Sequence, residues 1–237
     1  MTAKHASALI TGGGRGLGAA LARTLARRGV RVALCARTGS EVDLVAASIR
    51  AEGGVAHGLI ADLADKQSIY PLVGAATALV GPIDLLVHNA GSLGPTPLRL
   101  LLDTDCEDVE RALAVNVVGP LRLTKAIAGG MLLRGHGTVV AVSSDAAVEA
   151  YSTWGAYGLS KAALEHLMRT FAVELEGTGV RFLTVDPGEM RTRMHAEAVP
   201  DADPRTLADP AVVAGRLAAL IEDEPPSGRR LSVAVAS

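Results

Sequence analysis

Aromatic side chains are scarce in this chain of 237 residues, which has one Trp, three Tyr and two Phe. A core so poor in rings must be filled by Ala, Val and Leu. Cysteine is scarcer still: Cys35 and Cys106 stand alone, without the partner spacing of a zinc site or a disulfide framework, which suits a reducing cytoplasm. Neither sign of charge dominates, since 23 Lys and Arg against 25 Asp and Glu leave a net −2. That excludes the basic excess of a typical nucleic-acid binder. No run approaches the ~18 consecutive apolar residues of a membrane span, and the N-terminal residues lack the basic-then-apolar blocks of a signal peptide. No Pro/Ser-rich or charge-block linker divides the chain, so one domain over residues 1–237 is expected from a length prior of about 150 residues per domain.

What is present is alternation. Short Val/Leu/Ile-rich runs at Ser7–Thr11, Val30–Ala36, Val55–Ala61, Ile83–His88, Thr138–Ser143, Val180–Asp186 and Leu231–Val235 read as strands. Between them, Gly16–Arg28, Ser40–Glu52, Asp65–Val80, Cys106–Leu133, Trp154–Glu176 and Asp209–Glu222 read as helices. Strands alternating with helices of this length form βαβ units. The expected fold class is α/β, a doubly wound, Rossmann-like, mostly parallel sheet of seven strands with helices on both faces. Strands covered on both faces are continuously apolar, as in Val32-Ala33-Leu34-Cys35-Ala36.

Glycine is abundant, and part of the surplus is concentrated in Gly12-Gly13-Gly14-Arg15-Gly16-Leu17-Gly18, between the first strand and first helix. A glycine turn there brings backbone close to a pyrophosphate, and the helix N-terminus offers free N–H groups and a positive dipole end. A tight turn without ligand would look similar, but its place in the first βαβ unit favours a nucleotide site. The spacing is TGxxxGxG and not GxGxxG. It resembles the short-chain dehydrogenase/reductase family, and that resemblance implies cofactor contacts at Gly12, Gly14, Arg15, Gly16, Leu17 and Gly18.

In that family an acidic residue ends the second strand when the cofactor is NAD. Here Ala36-Arg37 stands there, with Arg15 inside the glycine loop. Two guanidiniums suit a ribose 2′-phosphate, because their forked donors match phosphate oxygens. NADP(H) is the expected cofactor, with Arg37 as a merely solvated strand-end charge the competing reading. By resemblance, Asp62 beside Leu63 would bond the adenine, Asn89-Ala90-Gly91 would bring backbone to the cofactor, and Pro187, Gly188 and Thr192 would hold the nicotinamide carboxamide. His88 replaces the first Asn of the family's NNAG and reads as a packed strand end.

Tyr157 and Lys161 lie four residues apart in a helical segment, hence on one face. A phenol with a pKa near 10 is a poor proton shuttle at neutral pH; a neighbouring ammonium favours phenolate and should lower that pKa. The resemblance adds Ser144 as the catalytic serine, preferred by spacing over Ser143, and Asn116 as the residue joining Lys161 to a water chain. Asn116, Ser144, Tyr157 and Lys161 thus match the family's catalytic tetrad; no metal is expected. The resemblance weakens past about residue 192, where the tail lacks the family's VDGG-like segment.

The implied activity is hydride transfer between NADP(H) and a small carbonyl or secondary alcohol substrate, as in a ketone or 3-oxoacyl reductase. An NAD-dependent alcohol dehydrogenase of the same family and a non-catalytic NADP-binding regulatory protein are the alternatives. Ser92–Leu98, Asp145–Trp154 and Arg191–Thr206 are the expected substrate walls. Within them Arg191, Arg193 and His195 could meet an anionic group, and Tyr151 and Trp154 could form an apolar wall or simply pack. By the same resemblance a homodimer or homotetramer is expected, while the charge balance and the lack of a long apolar run make neither nucleic acid nor membrane an expected partner.

Overall fold

The computed structural model describes residues 4–234. Seven strands, β1 (Ser7–Thr11), β2 (Arg31–Ala36), β3 (Ala56–Ile60), β4 (Leu85–His88), β5 (Gly137–Val142), β6 (Val180–Asp186) and β7 (Arg230–Ser232), form one sheet. Its order is β3-β2-β1-β4-β5-β6-β7, and every pairing is parallel. The expected Rossmann-like sheet is therefore fully, and not just mostly, parallel. The strand order reverses between β1 and β4, and in such sheets ligands bind beyond the carboxyl ends of the strands at that point.

Period-two alternation explains how continuously apolar strands serve two cores. Ala8, Ile10, Val32, Leu34, Val140 and Val142 face one layer. Leu9, Ala33, Cys35, Val139 and Ala141, their sequence neighbours, face the other. The first layer is closed by α1 (Gly16–Arg27), α2 (Gly39–Ala51) and α8 (Pro210–Glu222), the second by α3 (Ile69–Val80), α5 (Gly119–Arg134) and α6 (Gly155–Glu174). Phe182 is the one ring among the largest fully buried side chains and stacks on Phe171. Among the described residues no helix is long and apolar enough to cross a membrane.

Several elements differ from the sequence expectation. The helix expected over Cys106–Leu133 is α4 (Cys106–Leu113), a π-helical segment Ala114–Val118 and α5. Pro120, second in α5, has no N–H to donate, and the wider π turn carries Asn116 to full burial. The helix expected from Asp65 begins only at Ile69, because Asp65 accepts from the Gln67 N–H and the Ser68 hydroxyl turns back to the Asp62 and Asp65 carbonyls. A short α7 (Arg193–Ala198), absent from the sequence reading, is capped by Thr192, whose Oγ1 accepts from the His195 N–H. The last strand is Arg230–Ser232 and not the expected Leu231–Val235: Val233 and Ala234 follow it, and Val235 lies outside the described residues.

Candidate active site

The glycine loop is shaped by steric exclusion. Gly12 and Gly16 have φ of +65° and +53°, a region that favours glycine. A Cβ on Gly18 would stand 2.4 Å from the Gly12 carbonyl oxygen and 2.5 Å from Asn89 Nδ2. Across the switch point, Asn89 Nδ2 donates to the carbonyls of Thr11 (2.9 Å) and Gly12 (3.0 Å). Thr11 Oγ1 accepts from the Asn89 and Ala90 N–H groups, both at 3.0 Å. Asn89 is thus a stitch between the ends of β1 and β4. Arg15, the N-cap of α1, makes no side-chain cap bond, so the first-turn N–H groups remain free to face an anion.

Beyond the loop lies a cavity of about 870 Å³, lined from Arg15, Arg37 and Asp62 at one end to Tyr157, Lys161 and Met194 at the other. Arg37 is exposed and makes no ion pair among the described residues; Arg15 meets Glu41 at 3.5 Å. One Asp62 oxygen accepts from the Ala64 N–H at 3.0 Å. The cavity, the bare helix end and the free guanidinium fit a dinucleotide.

At the far end, α6 presents Tyr157, Lys161 and Glu165 one turn apart, with relative exposures of 7%, 3% and 3%. Lys161 Nζ donates to the Val142 carbonyl at 2.8 Å and lies 5.5 Å from the centre of the Tyr157 ring. Burial pulls the Lys161 ammonium down to about 8, partly offset by the Glu165 carboxylate, which favours the charged form. The expected lowering of the Tyr157 pKa is not found. Burial pushes the phenol well above its ordinary value, a hydrogen bond with Ser144 opposes this, and the charges of Asp145 and Asp186 add to the rise. Desolvation of the phenolate decides the direction, and Lys161 is not among the groups that oppose it.

Ser144 Oγ donates to Asp145 Oδ1 at 2.8 Å and accepts from the Ala146 N–H at 3.2 Å. Ser143 points away, donating at 2.6 Å to Glu165 Oε1, so the two serines have separate tasks. The Asn116 side chain is fully engaged: Oδ1 accepts from the Ser92 N–H at 2.7 Å, and Nδ2 donates to the Ser92 carbonyl and Ser160 Oγ at 2.8 Å each. It clamps the Gly91–Ser92 segment to α6. A Cβ on Gly91 would stand 3.6 Å from Lys161 Nζ and 3.7 Å from Asn116 Oδ1, so these two groups flank one glycine. His88 is packed, with Nε2 2.8 Å from Thr124 Oγ1; burial, then the Lys161 charge, lowers its pKa to about 3.

After β6, Asp186 Oδ1 accepts from the Gly188 N–H at 3.0 Å, and Gly188 has φ of +70°. Thr192 lies across from Gly16. Around Tyr157, Leu93, Ala146, Leu98, Trp154 and Met194 form an apolar cluster, with the Trp154 ring edge-on to the phenol at 5.7 Å. Tyr151 is half-exposed and donates to Asp145 Oδ2 at 2.9 Å. Arg191, Arg193 and His195 meet Asp209, Glu197 and Glu189 at 3.5, 2.7 and 3.5 Å. Sequence reasoning missed Glu165 and Arg230 around the serine and gave Asp145 only as the start of a substrate wall. Only Glu165 carried a signal, continuing the Tyr157–Lys161 spacing by a further four residues.

Comparison with known proteins identifies the family. A family model described as short chain dehydrogenase matches residues 6–203. An uncharacterised oxidoreductase of Mycobacterium tuberculosis is 41% identical over 78% of this chain and 69% of its own length. A glycine betaine reductase of Emericella nidulans is 36% identical over 78% of this chain, which spans only 14% of that longer protein. A short chain dehydrogenase of Shigella flexneri, solved with NADP, superposes with a TM-score of 0.89 at 29% identity, covering 96% of each chain. Matched by the family model over most of its length and sharing its fold almost end to end with a solved member, this chain belongs to the short chain dehydrogenase family, oxidoreductases that act on CH–OH and C=O groups with a nicotinamide cofactor.

Proposed function

We propose that the protein is an NADPH-dependent reductase of a neutral ketone or 3-oxoacyl compound, with Asn116, Ser144, Tyr157 and Lys161 as the residues of the reaction. The observation that carries this reading is the placement of Ser144, Tyr157 and Lys161 at one end of a cavity whose other end is the glycine loop. When bound, the nicotinamide supplies the hydride. Ser144 and Tyr157 hydrogen-bond the carbonyl oxygen, and the phenol passes it a proton. Burial and the Asp145 charge keep the phenol in its protonated form, the form from which a donor starts, but they also make that proton harder to give up. Lys161 keeps positive charge beside that phenol, stabilising the anion left after transfer. Asn116, at the π turn, holds the Gly91–Ser92 segment against α6 beside Lys161, where a water chain would return the proton.

For the cofactor, Gly12, Gly14, Gly16, Leu17 and Gly18 admit the pyrophosphate; Asp62 and Leu63 flank the adenine; and Asn89, Ala90 and Gly91 line the middle. Pro187, Gly188 and Thr192 hold the carboxamide. Arg37 takes the 2′-phosphate, and Arg15 joins it by exchanging Glu41. Glu41 is also the observation that favours NAD as the alternative, since its carboxylate lines the same end and could accept from ribose hydroxyls. The cluster around Tyr157 is apolar, and Arg191, Arg193 and His195 are already matched with carboxylates, which favours a neutral carbonyl.

We further propose one domain, a cytoplasmic setting in which Cys35 and Cys106 stay reduced, and a homodimer or homotetramer formed through exposed Leu133 and Val173 of α5 and α6; light scattering giving a monomer would remove the last. The test of function is loss of NADPH absorbance with a panel of ketones, aldehydes and 3-oxoacyl thioesters. Turnover that depends on Tyr157 supports the reading. NADPH binding without any Tyr157-dependent turnover leaves the regulatory alternative.

A further inference from the structure

Where the family resemblance lapses, β7 brings Arg230, partly exposed and outside the cavity lining, against the residues that carry the site. Its Nε donates to Glu165 Oε1 at 2.9 Å, and one terminal nitrogen donates to the Ser144 carbonyl at 3.2 Å and to Asp186 Oδ2 at 3.1 Å. Glu165 Oε1 also accepts from Ser143 Oγ at 2.6 Å, and Arg169 stands 3.8 Å from Glu165 Oε2. A single planar fork therefore ties together the residues that follow β5, the end of β6 and the helix bearing Lys161.

The strand does not need this arginine to stay in the sheet. Main-chain bonds from Thr184 N to the Arg229 carbonyl (3.0 Å) and from Val233 N to the Asp186 carbonyl (3.0 Å) already hold β7 on β6. Nor is an ion pair to a partly exposed arginine a strong stabiliser, because solvent screens its attraction. What a guanidinium supplies, and a lysine does not, is several donors in fixed geometry. Those donors are aimed at the main chain of Ser144 and at the carboxylate that braces the Pro187-Gly188 turn.

We propose that Arg230, oriented by Glu165, is a positioning residue that sets the Ser144 main chain and the Asp186-Pro187-Gly188 turn in register with Lys161. The proposal rests on the reading of Ser144 and Lys161 as residues of the reaction. It implies that the reaction geometry depends on the last strand, far from the motifs that spell the site.

The full chain is compared with Arg230→Lys, Arg230→Ala, Glu165→Gln and Glu165→Ala by steady-state kinetics, thermal melting and hydrogen exchange. Arg230→Lys keeps the charge beside Glu165 but can reach one acceptor at a time. It should melt near the wild-type temperature while kcat falls roughly ten- to a hundredfold, the scale of a small misplacement, with KM for NADPH changing less. Amide exchange should rise in segments 143–148 and 186–192 and stay unchanged in 7–18. Glu165→Gln, which can still accept from Ser143 and Arg230, should retain more of kcat than Glu165→Ala. The proposal is overturned if kcat follows melting temperature across the series, or if Arg230→Lys is as active as wild type. If the wild type has no turnover, the functional reading falls, and exchange alone decides: loosening of both segments supports positioning, and no change refutes it.

Discussion

The two ends of the cavity are built by different means. The glycine loop and the β1 and β4 ends are main-chain constructions, in which glycines admit close approach and Thr11 and Asn89 bond backbone groups. The reaction end is a side-chain construction: Ser143, Ser144, Glu165, Asp186 and Arg230 meet across as many as 86 positions of sequence. Main-chain sites tolerate few residue types and so leave a compact motif. Side-chain sites can be assembled from distant residues and leave none. Substitutions should therefore fail differently at the two ends, through shape at the first and through charge and proton position at the second.

The largest effect belongs to the reaction end. Tyr157→Phe removes the proposed proton donor while keeping the ring against Trp154, so kcat should fall by ~10²–10⁴-fold, the range of general acid catalysis, with NADPH affinity nearly unchanged. A parallel loss of affinity, measured by NADPH fluorescence, would show that the phenol serves binding and not chemistry. At the other end, Gly18→Ala places a methyl where the Gly12 carbonyl and Asn89 already stand. It should cost ~1–3 kcal/mol of stability, as overpacking does, and should weaken NADPH binding with little effect on kcat at saturation. An alanine accepted there with wild-type melting and affinity would break the contrast.

Arg37→Ala tests the one place where the cofactor end uses side-chain charge. Losing charge-assisted bonds worth ~1.5–3 kcal/mol should weaken NADPH about 10- to 100-fold and leave NADH unchanged. Equal effects on both cofactors would favour the NAD reading and shift attention to Glu41.

How much of this was legible follows the same division. The alternating apolar runs disclosed the seven strands and the parallel sheet, because strands buried on both faces must be apolar throughout. The π turn at Asn116 was hidden, since Cys106–Leu133 keeps a helical pattern through it and only Pro120 marks the disturbance. Tyr157 and Lys161 were readable from a spacing of four, but the direction of the Tyr157 pKa was not, because burial is a property of the assembled site. Arg230 gave no signal at all: its partners lie on β5, β6 and α6 and become neighbours only when the sheet closes.

The smallest expected effect separates charge from shape within the reaction end. Lys161 has a pKa of about 8, so it loses its proton as pH rises through that value and the reductive rate should fall with it, while Tyr157, held above its ordinary range, stays protonated. Glu165 favours the charged lysine; Glu165→Gln removes that support and leaves the Arg230 cation less balanced, and both changes favour neutral Lys161. The alkaline limb of kcat should therefore move to lower pH, by roughly half a unit to one unit for the loss of one partly screened charge. The variant would then look nearly wild type at pH 7 and fall behind by only a fewfold near pH 8. The linked stability has a definite sign. A lysine whose folded pKa lies below its unfolded value of ~10.4 makes the unfolded chain the better proton binder between the two, so the cost of burying this group is relieved, and stability rises, from about pH 8 to ~10.4 and no further. In Glu165→Gln that rise should begin at lower pH. A limb that stays in place while the melting curve shifts would assign Glu165 to holding Arg230 alone, making the reaction end a matter of shape like the glycine loop.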